Sequence, residues 1–354
     1  RRLGAFATAD LDRGVDDGVR LRSSRRRRFR TRNRGLGGLG AGKGLAYDRR
    51  IHNPVSLSPT SMSHNLQTAS TQEFRLPGHD VLAIIGRDAL AFAQAQFMND
   101  VAALGDGEWH WNGWLTPKGR VIALFALLRI DAETSWLLLP DAGAAGLATQ
   151  LQRFVFRSKV KLEVRADLNA IGQFAPPTNA SGSNAAPFAG GMELDFGGDG
   201  GPRSLRIATM DAGSDDVLAS RWRAFDLAHG LPRLDAGQAE AWTPQQLSLD
   251  RLRAFSVKKG CYPGQEIVAR THFLGQVKRG LVRLQGVGVS AGGDVTAGAP
   301  VDAGGEASSR AIGKLICAEG DEGIAVMPID AGDGPFSTDG QPCTRLPLLD
   351  GLAR

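Results

Sequence analysis

The chain has 354 residues, 42% of them hydrophobic and 22% charged, a composition typical of a soluble globular protein with about two or three domains. No apolar stretch approaches the roughly 20 residues of a membrane-spanning helix, and three cysteines without paired or metal-ligand spacing exclude a disulfide framework and a self-contained zinc site. The net charge of +5 does not mark the whole chain as nucleic-acid-binding, because the basic excess lies entirely in residues 1–61. We therefore expect a cytoplasmic protein with reduced thiols and no bound metal.

The first 61 residues form a basic segment with neither helical nor strand periodicity. They carry 15 Lys and Arg against 5 Asp and Glu, whereas residues 62–354 carry 27 against 32. Low hydrophobicity and high charge leave too little apolar surface to offset the entropy of ordering, so we predict disorder. The first methionine is Met62, which raises the alternative that the segment lies outside the native reading frame. A basic arm also suits an RNA-binding protein, and this stays a separate functional hypothesis.

Residues 73–164 alternate between strand-like and helix-like sequence. The predicted elements are strands on either side of a turn at 76–79, a helix over 89–98 capped by Asp88, strands near 109–114, 120–130 and 135–139, a helix over 143–156 and a strand over 161–164. Their short antiparallel links favour an α+β fold over a doubly wound parallel sheet. No GxGxxG sequence follows a strand, so dinucleotide binding gains no support.

The aromatic stretch over residues 109–114, WHWNGW, has two interpretations. It could supply a stacking wall for a flat ligand, or it could be a strand with one aromatic face in the core. We favour the second, because alternating aromatic residues are good strand formers.

The middle of the chain is less regular. Pro176 to Gly201 is rich in Pro, Gly, Asn, Ser and Ala, which predicts a long and poorly ordered loop. A short helix is predicted over 220–229, closed by Gly230. Thr243 is expected to cap a further short segment that begins at Pro244.

The C-terminal part changes character near Leu274. Residues 277–284 alternate as a strand, and glycine-rich turns then recur every eight to twelve residues. This pattern predicts a small antiparallel β-barrel. We therefore divide the ordered chain into residues 62–274 and 275–354.

The stretch Lys258–Glu266, KKGCYPGQE, holds a cysteine in an unusual setting. Gly260 and Gly264 allow a sharp turn and a close approach of the backbone to a ligand. Free N–H groups at the start of the following helix, together with Lys258 and Lys259, favour an anionic group and the thiolate form of Cys261. The alternative is a structural turn in which the cysteine is a small buried hydrophobe.

The residues after this cysteine extend the candidate site. Tyr262 offers a flat face, and Gln265 and Glu266 offer the donors and acceptors that a planar heterocycle needs. Arg270 lies four residues after Glu266, where the two side chains can pair on one helix face. His272 is in register to act as a base toward the thiol, although a histidine near a helix end is more often structural.

The segment Lys259–Glu266 resembles the K-G-C-[FY]-x-G-Q-E signature of the YgfZ family, relatives of the glycine-cleavage aminomethyltransferases. A second similarity lies at 96–101, with its Asn-Asp pair, and at 114–120, with its TPKGR turn. A third is the pair Lys278-Arg279 at the entrance to the predicted barrel. The resemblance covers about residues 72–350.

This resemblance implies an aminomethyltransferase-like ring of two α+β modules plus a C-terminal β-barrel, with a tetrahydrofolate or a derivative in the central cavity. It also implies a role in the assembly or repair of iron–sulfur cluster enzymes, with an indirect effect on tRNA modification and transient contact with iron–sulfur proteins. Cys261 is the candidate catalytic residue, and we do not expect direct binding to nucleic acid. The candidate folate-binding residues are Asn99, Asp100, Trp114, Lys118, Arg120, Lys259, Gly260, Tyr262, Gln265, Glu266 and Arg270.

One departure from the transferases bears on activity. In aminomethyltransferases an aspartate on the strand after the turn contacts the reactive end of the folate, whereas here Ala123 or Leu124 stands at that position. An alkyl side chain neither accepts a hydrogen bond nor stabilises positive charge. We therefore favour a folate-binding assembly factor over an enzyme. The alternative is an active tetrahydrofolate-dependent one-carbon transferase with Cys261, Asp100 or Glu266 as its catalytic group.

Overall fold

A computed structural model describes residues 70–275, 277–286, 288–298 and 310–354, so the predictions for residues 1–61 lie outside the described part of the chain. Within these ranges the strands form two five-stranded antiparallel sheets and a closed six-stranded barrel. No helix in the described ranges is both long enough and apolar enough to cross a membrane. In chain order the strands and α-helices are β1 (Ser70–Arg75), β2 (Asp80–Ile85), α1 (Ala89–Gln96), β3 (Trp109–Leu115), β4 (Val121–Arg129), β5 (Thr134–Leu139), α2 (Ala144–Leu151), β6 (Lys161–Val164), β7 (Asn169–Phe174), β8 (Ala186–Phe188), β9 (Gly191–Asp195), β10 (Ser204–Ala208), α3 (Asp216–Ala228), α4 (Gln265–Phe273), β11 (Arg279–Gly286), β12 (Asp294–Ala297), β13 (Ala311–Glu319), β14 (Glu322–Pro328), β15 (Phe336–Thr338) and β16 (Gln341–Leu346).

The first sheet has the order β3-β4-β5-β2-β6 and is buried on both faces at its centre. One face packs against α1 and α2, where Phe92, Phe125 and Leu147 belong to one apolar cluster. The other face contributes Trp109 and Trp111 to a larger cluster. The preferred interpretation of the aromatic stretch, a strand with aromatic core residues, is therefore confirmed.

The second sheet has the order β1-β7-β10-β9-β8 and packs against α3. The predicted loop over 176–201 was wrong, because this segment contains β8 and β9. The Glu193 carboxylate orders the chain before these strands by accepting hydrogen bonds from the backbone N–H groups of Thr178 and Asn179, each at 2.9 Å. Composition alone does not reveal such an anchor.

The barrel closes in the order β11-β14-β13-β12-β15-β16, with every described pairing antiparallel. Its inside is apolar, with Leu284, Val295, Leu315 and Phe336 in one cluster. The predicted α+β class with a C-terminal β-barrel is confirmed. The division of the chain near Leu274 stays a prediction.

Three helix predictions need correction. The first helix ends at Gln96 rather than residue 98, because Phe97 turns extended and pairs with Trp114 of β3. Asp88 does not cap it; its Oδ2 accepts from the Lys159 backbone N–H instead. The second helix ends at Leu151, where a 3-10 turn follows.

The third helix begins earlier than predicted, because the Asp215 side chain caps it through the Leu218 N–H at 2.9 Å. After Thr243 the chain forms successive turns rather than a helix. The Thr243 hydroxyl nevertheless accepts from the Gln246 N–H at 3.3 Å, as a capping residue does.

Candidate functional site

The motif loop, residues 258–266, leads into α4 through Gly264, which has a left-handed φ of +81°. A Cβ at Gly264 would lie 2.6 Å from the carbonyl oxygen of Thr116 and 2.8 Å from the Cα of Gly119. Gly119 is also left-handed, and its own Cβ would lie 2.8 Å from the Cβ of Ile267. Only glycine allows two backbones to approach so closely. The KGCYPGQE and TPKGR segments are therefore in direct contact.

Lys259 ties the same loop to the end of α1. Its buried ammonium donates to the carbonyl oxygens of Gln94, Phe97 and Asn99, at 2.6, 2.5 and 3.1 Å. Burial lowers the pKa of Lys259 to about 8, and the carboxylate of Asp100 opposes this shift. A cation at the C-terminal end of a helix complements the partial negative charge there. All three ammonium protons are thus used within the protein.

Tyr262 and Gln265 hold the loop from inside. The Tyr262 hydroxyl donates to the carbonyl oxygen of Ser256 at 3.2 Å, and burial raises its pKa to about 12. The Gln265 amide donates to the carbonyl oxygen of Lys259 at 3.1 Å. Gly260 and Cys261 are exposed between these anchors. The loop therefore presents a thiol to solvent from a fixed backbone.

The Asn-Asp pair lies beneath the loop, where its polar groups are already paired. Asn99 is buried, and its amide donates to the carbonyl oxygens of Trp111 and Arg253 at 2.9 and 2.7 Å. Asp100 is half-buried, and its Oδ1 accepts from the Gln94 amide at 2.9 Å. Asn99 therefore fastens β3 to the segment that precedes the motif loop.

Sequence reasoning missed His110, which belongs to the same network. The side-chain oxygen Oδ1 of Asn112 accepts from the backbone N–H groups of Asn99 and Gly113, so its side-chain nitrogen Nδ2 faces His110 and donates to Nε2 at 3.0 Å. A ring nitrogen that accepts a hydrogen bond carries no proton, and burial lowers the pKa of His110 to about 4. The alternation of polar residues 110 and 112 with aromatic residues was the available signal.

The remaining predicted residues do not converge on one point. Trp114 packs in the cluster between the first sheet and its two helices. Lys118 is exposed, whereas the Arg120 guanidinium donates to the carbonyl oxygen of Ala241 and to the side chain of Gln246. Glu266 and Arg270 form the expected i,i+4 pair on the exposed face of α4, at 3.1 Å. These last two side chains face solvent.

Where the sheets meet lies a buried ion network that no motif marks. The Arg203 guanidinium donates to one Asp226 oxygen at 2.8 Å, and Arg233 donates to the other at 3.3 Å. Arg233 also pairs with Asp141 at 2.7 Å, and Arg203 lies 4.0 Å from the ring centroid of Trp222. Arg203 and Asp226 have side chains that are only 0% and 2% exposed. Their charges are therefore compensated almost entirely by protein groups.

Beside this network lies a small cavity. Three aromatic residues, Trp111, Phe196 and Trp222, line it together with His79 and Asp226. Its volume is about 10 Å³, which suits roughly one water molecule. Burial lowers the pKa of His79 to about 3, so this ring is neutral at pH 7.

No family model matches the chain. It is 27% identical over 224 residues to the "tRNA-modifying protein YgfZ" of Vibrio vulnificus, a match that covers 58% of this chain and 67% of that protein. It is 28% identical over 239 residues to the "Iron-sulfur cluster assembly factor IBA57 homolog, mitochondrial" of Mycosarcoma maydis, covering 62% and 58%.

Among solved structures, the glycine cleavage system aminomethyltransferase T from Bartonella henselae is similar, with a TM-score of 0.61 at 14% identity over 80% of this chain and 87% of that one. This similarity identifies the fold as aminomethyltransferase T-like. Together with the curated relatives, it confirms the predicted resemblance to YgfZ proteins and their aminomethyltransferase relatives.

Proposed function

We propose that this chain supports the assembly or repair of iron–sulfur cluster enzymes, and that it affects tRNA modification through them. The observation that carries the proposal is the exposure of Cys261 between the buried anchors Lys259 and Tyr262. Similarity to a tRNA-modifying protein and to an iron–sulfur cluster assembly factor supports the same role. In this proposal the iron–sulfur proteins are transient partners.

Cys261 acts as a transient ligand to iron. Its thiol loses a proton to solvent, and the thiolate donates an electron pair to an iron atom of the partner. Because hydrogen bonds of Lys259, Tyr262 and Gln265 fix the backbone around it, little ordering accompanies the contact. Exposure of the neighbouring Gly260 leaves room for another protein to approach.

We also propose a tetrahydrofolate as the bound small molecule. The small cavity beside the ion network has aromatic walls and a carboxylate, but its volume of about 10 Å³ is far below the roughly 300 Å³ of a ligand pocket, so it does not hold a folate. Of the predicted folate-binding residues, Arg120 lines a cavity of about 320 Å³, which is large enough.

The alternative function, aminomethyl transfer, gains no support from the strand that would carry it. Ala123 and Leu124 are both buried and apolar, so neither accepts a proton or a hydrogen bond. Asp100 and Glu266 are already paired with Gln94 and Arg270. Incubation with a one-carbon donor and an acceptor, followed by mass spectrometry of the products, separates the two functions, since turnover would favour the transferase.

The role of the thiol is tested by complementation of a bacterial strain that lacks its YgfZ relative, with the activity of an iron–sulfur enzyme as the readout. The unmodified chain should restore activity, whereas Cys261→Ser and Cys261→Ala should not. The matched control is Lys159→Gln, which changes an exposed lysine outside the motif loop and should restore activity. Full restoration by Cys261→Ser would refute a required thiol.

The folate proposal is tested separately by calorimetric titration with tetrahydrofolate under reducing conditions. We expect saturable heat at micromolar to millimolar ligand. If millimolar tetrahydrofolate gives no heat, the folate proposal is wrong, while the complementation result stands independently.

A further inference from the structure

An exposed surface runs along α4 from the motif loop to the far end of the helix, and we call it the α4 ridge. It consists of Cys261, Glu266, Arg270, Phe273 and Leu274, all of which are exposed. Glu266, Arg270 and Phe273 share one helix face, because they are four and three residues apart. The nine residues of α4 are about 14 Å long at 1.5 Å per residue, so the thiol and the last two side chains lie at opposite ends of the ridge.

The far end of the α4 ridge is apolar. Phe273 and Leu274 are 66% and 85% exposed, and Ile329, directly after β14, is 54% exposed. Ile329 lines the same cavity as His272 and Gly275, so it lies beside the end of α4. Single exposed hydrophobic residues are common on soluble proteins, whereas a group of large ones marks an interaction surface.

Three exposed lysines flank the α4 ridge. Lys258 lies just before the thiol, Lys118 lies in the turn that packs on the helix, and Lys278 follows the end of the helix. Their ammonium groups form no ion pair within the described part of the chain. On the ridge itself, Glu266 is already paired with Arg270.

Two further carboxylates adjoin the barrel end of the α4 ridge, where Asp250 and Asp330 each line a cavity. The cavity of Asp330 is also lined by Lys278 and Arg279. These two basic residues and Arg120 line a neighbouring cavity without any carboxylate. The surface therefore keeps an excess of positive charge, which attracts acidic groups.

We infer that the α4 ridge is the docking surface for an iron–sulfur protein that presents an acidic rim and an apolar contact. The nature of this partner rests on the proposed function, because Cys261 lies within the surface. The rim meets the lysines, and the apolar contact covers Phe273 and Leu274. A standard interface buries about 800 Å² on each partner, so one docked protein covers both ends of the ridge while its iron reaches the thiol.

Charge complementarity favours this occupant over two others. A second copy of this chain would place the same lysines against each other. The basic residues 1–61, with 15 Lys and Arg against 5 Asp and Glu, would also bring positive charge to a positive surface. An acidic partner instead gains attraction during the encounter and in the complex.

Photo-cross-linking of the full chain tests the docking surface, in the same bacterial complementation strain. In Leu274→p-benzoylphenylalanine the new side chain reacts, on irradiation, with whatever lies against it. Mass spectrometry then identifies the product. We expect a product with a protein that binds an iron–sulfur cluster.

A charge reversal tests the rim. Lys278→Glu, added to the cross-linking chain, should lower the yield of this product about fivefold, because it repels an acidic partner. The matched control is Lys159→Glu, which makes the same change at an exposed lysine outside the ridge and should leave the yield unchanged.

A second variant tests the apolar end. Leu274→Glu should lower the restored iron–sulfur enzyme activity about fivefold, as expected when an interface loses an anchor residue. Val217→Glu is the matched control, because Val217 is 78% exposed on α3, and it should restore activity fully. Melting temperatures are measured for both variants, and the Lys278→Glu yield decides if Leu274→Glu is unstable.

Each outcome supports or overturns the docking surface. A cross-link between two copies, a cross-link to residues 1–69 of the same chain, or no product would overturn it. Full activity of a stable Leu274→Glu would also overturn it, while the Cys261 result stands. If Cys261→Ser restores activity but the Lys278-dependent cross-link to an iron–sulfur protein remains, the docking surface stands and the ligand role of the thiol falls.

Discussion

The motif loop and the buried ion network both contain a buried charged side chain, but they stabilise its charge in different ways. The Lys259 ammonium is solvated by three backbone carbonyl groups, and the loop around it leaves Cys261 exposed to solvent. Arg203 and Asp226 are neutralised by each other and by Arg233, with almost no exposure. A loop held by its backbone can present one side chain to a partner, whereas a network of paired side chains fills and rigidifies a centre.

The largest predicted effect concerns the buried ion network. Asp226→Asn keeps the shape of the side chain but leaves the Arg203 charge buried and unpaired. Breaking a buried pair in this way costs about 3–5 kcal/mol of unfolding free energy. Urea denaturation at pH 7 measures the change, and a loss below about 1 kcal/mol would show that water or relaxation replaces the pair.

The next effect concerns the contact between the two motif segments. In Gly264→Ala the new methyl group would meet the Thr116 carbonyl oxygen at 2.6 Å, at a left-handed φ of +81°. Strain and overpacking together predict a loss of about 2–4 kcal/mol. Gly260→Ala is the matched control, because a Cβ there has nothing within 4 Å, and it should cost less than about 0.5 kcal/mol. Equal losses in the two variants would disprove this steric argument.

The third prediction uses acid to weaken the polar network below the loop. Burial lowers the folded-state pKa of His110 to about 4 from 6.5, so between these values the unfolded chain binds more protons and stability falls as the pH falls. This single group predicts a loss of up to about 3 kcal/mol by pH 4. His110→Gln should therefore flatten the fall, measured by denaturation from pH 7 to pH 4.

The control for the acid experiment is His272→Gln, which changes an exposed residue of α4 and should leave the slope unaltered. Part of the slope will remain in His110→Gln, because burial also lowers the pKa of His229 to about 4 and that of His79 to about 3. If His110→Gln shows the same pH dependence as the unmodified chain, the neutral-imidazole assignment is wrong.

The smallest effect concerns the surface pair of α4. Glu266 and Arg270 have side chains that are 80% and 66% exposed, so solvent screens their attraction. A double-mutant cycle of Glu266→Gln and Arg270→Gln should give a coupling of only about 0.3–0.5 kcal/mol. A coupling above about 1 kcal/mol would indicate that the pair supports the motif loop.

The contrast between the motif loop and the buried ion network also explains which features the sequence could predict. Hydrophobic alternation and turn residues predict the barrel and the strands of the first sheet. The i,i+4 spacing predicts the Glu266–Arg270 pair. These patterns do not predict the buried ion network, because Arg203, which immediately precedes β10, meets Asp226 of α3 only when the two elements pack. Asp226 lies on one helix face with Trp222, and a lone carboxylate on an apolar face was the available signal.

Two other differences between the sequence predictions and the structure have local physical causes. The strands within 176–201 depend on the Glu193 carboxylate, which reaches back to backbone groups 13 to 15 residues earlier. Lys259 was predicted to influence the thiol, but its ammonium instead donates to three carbonyl groups at and just after the end of α1. The spacing of residues along the chain predicts neither the backbone partners of Glu193 nor those of Lys259.

Lys259 makes the motif loop depend on a distant part of the chain. Its carbonyl partners lie 160 to 165 residues earlier, so the contact closes a very long loop. A substitution that loosens the end of α1 should therefore also free the loop that carries Cys261, although the two segments are far apart in sequence.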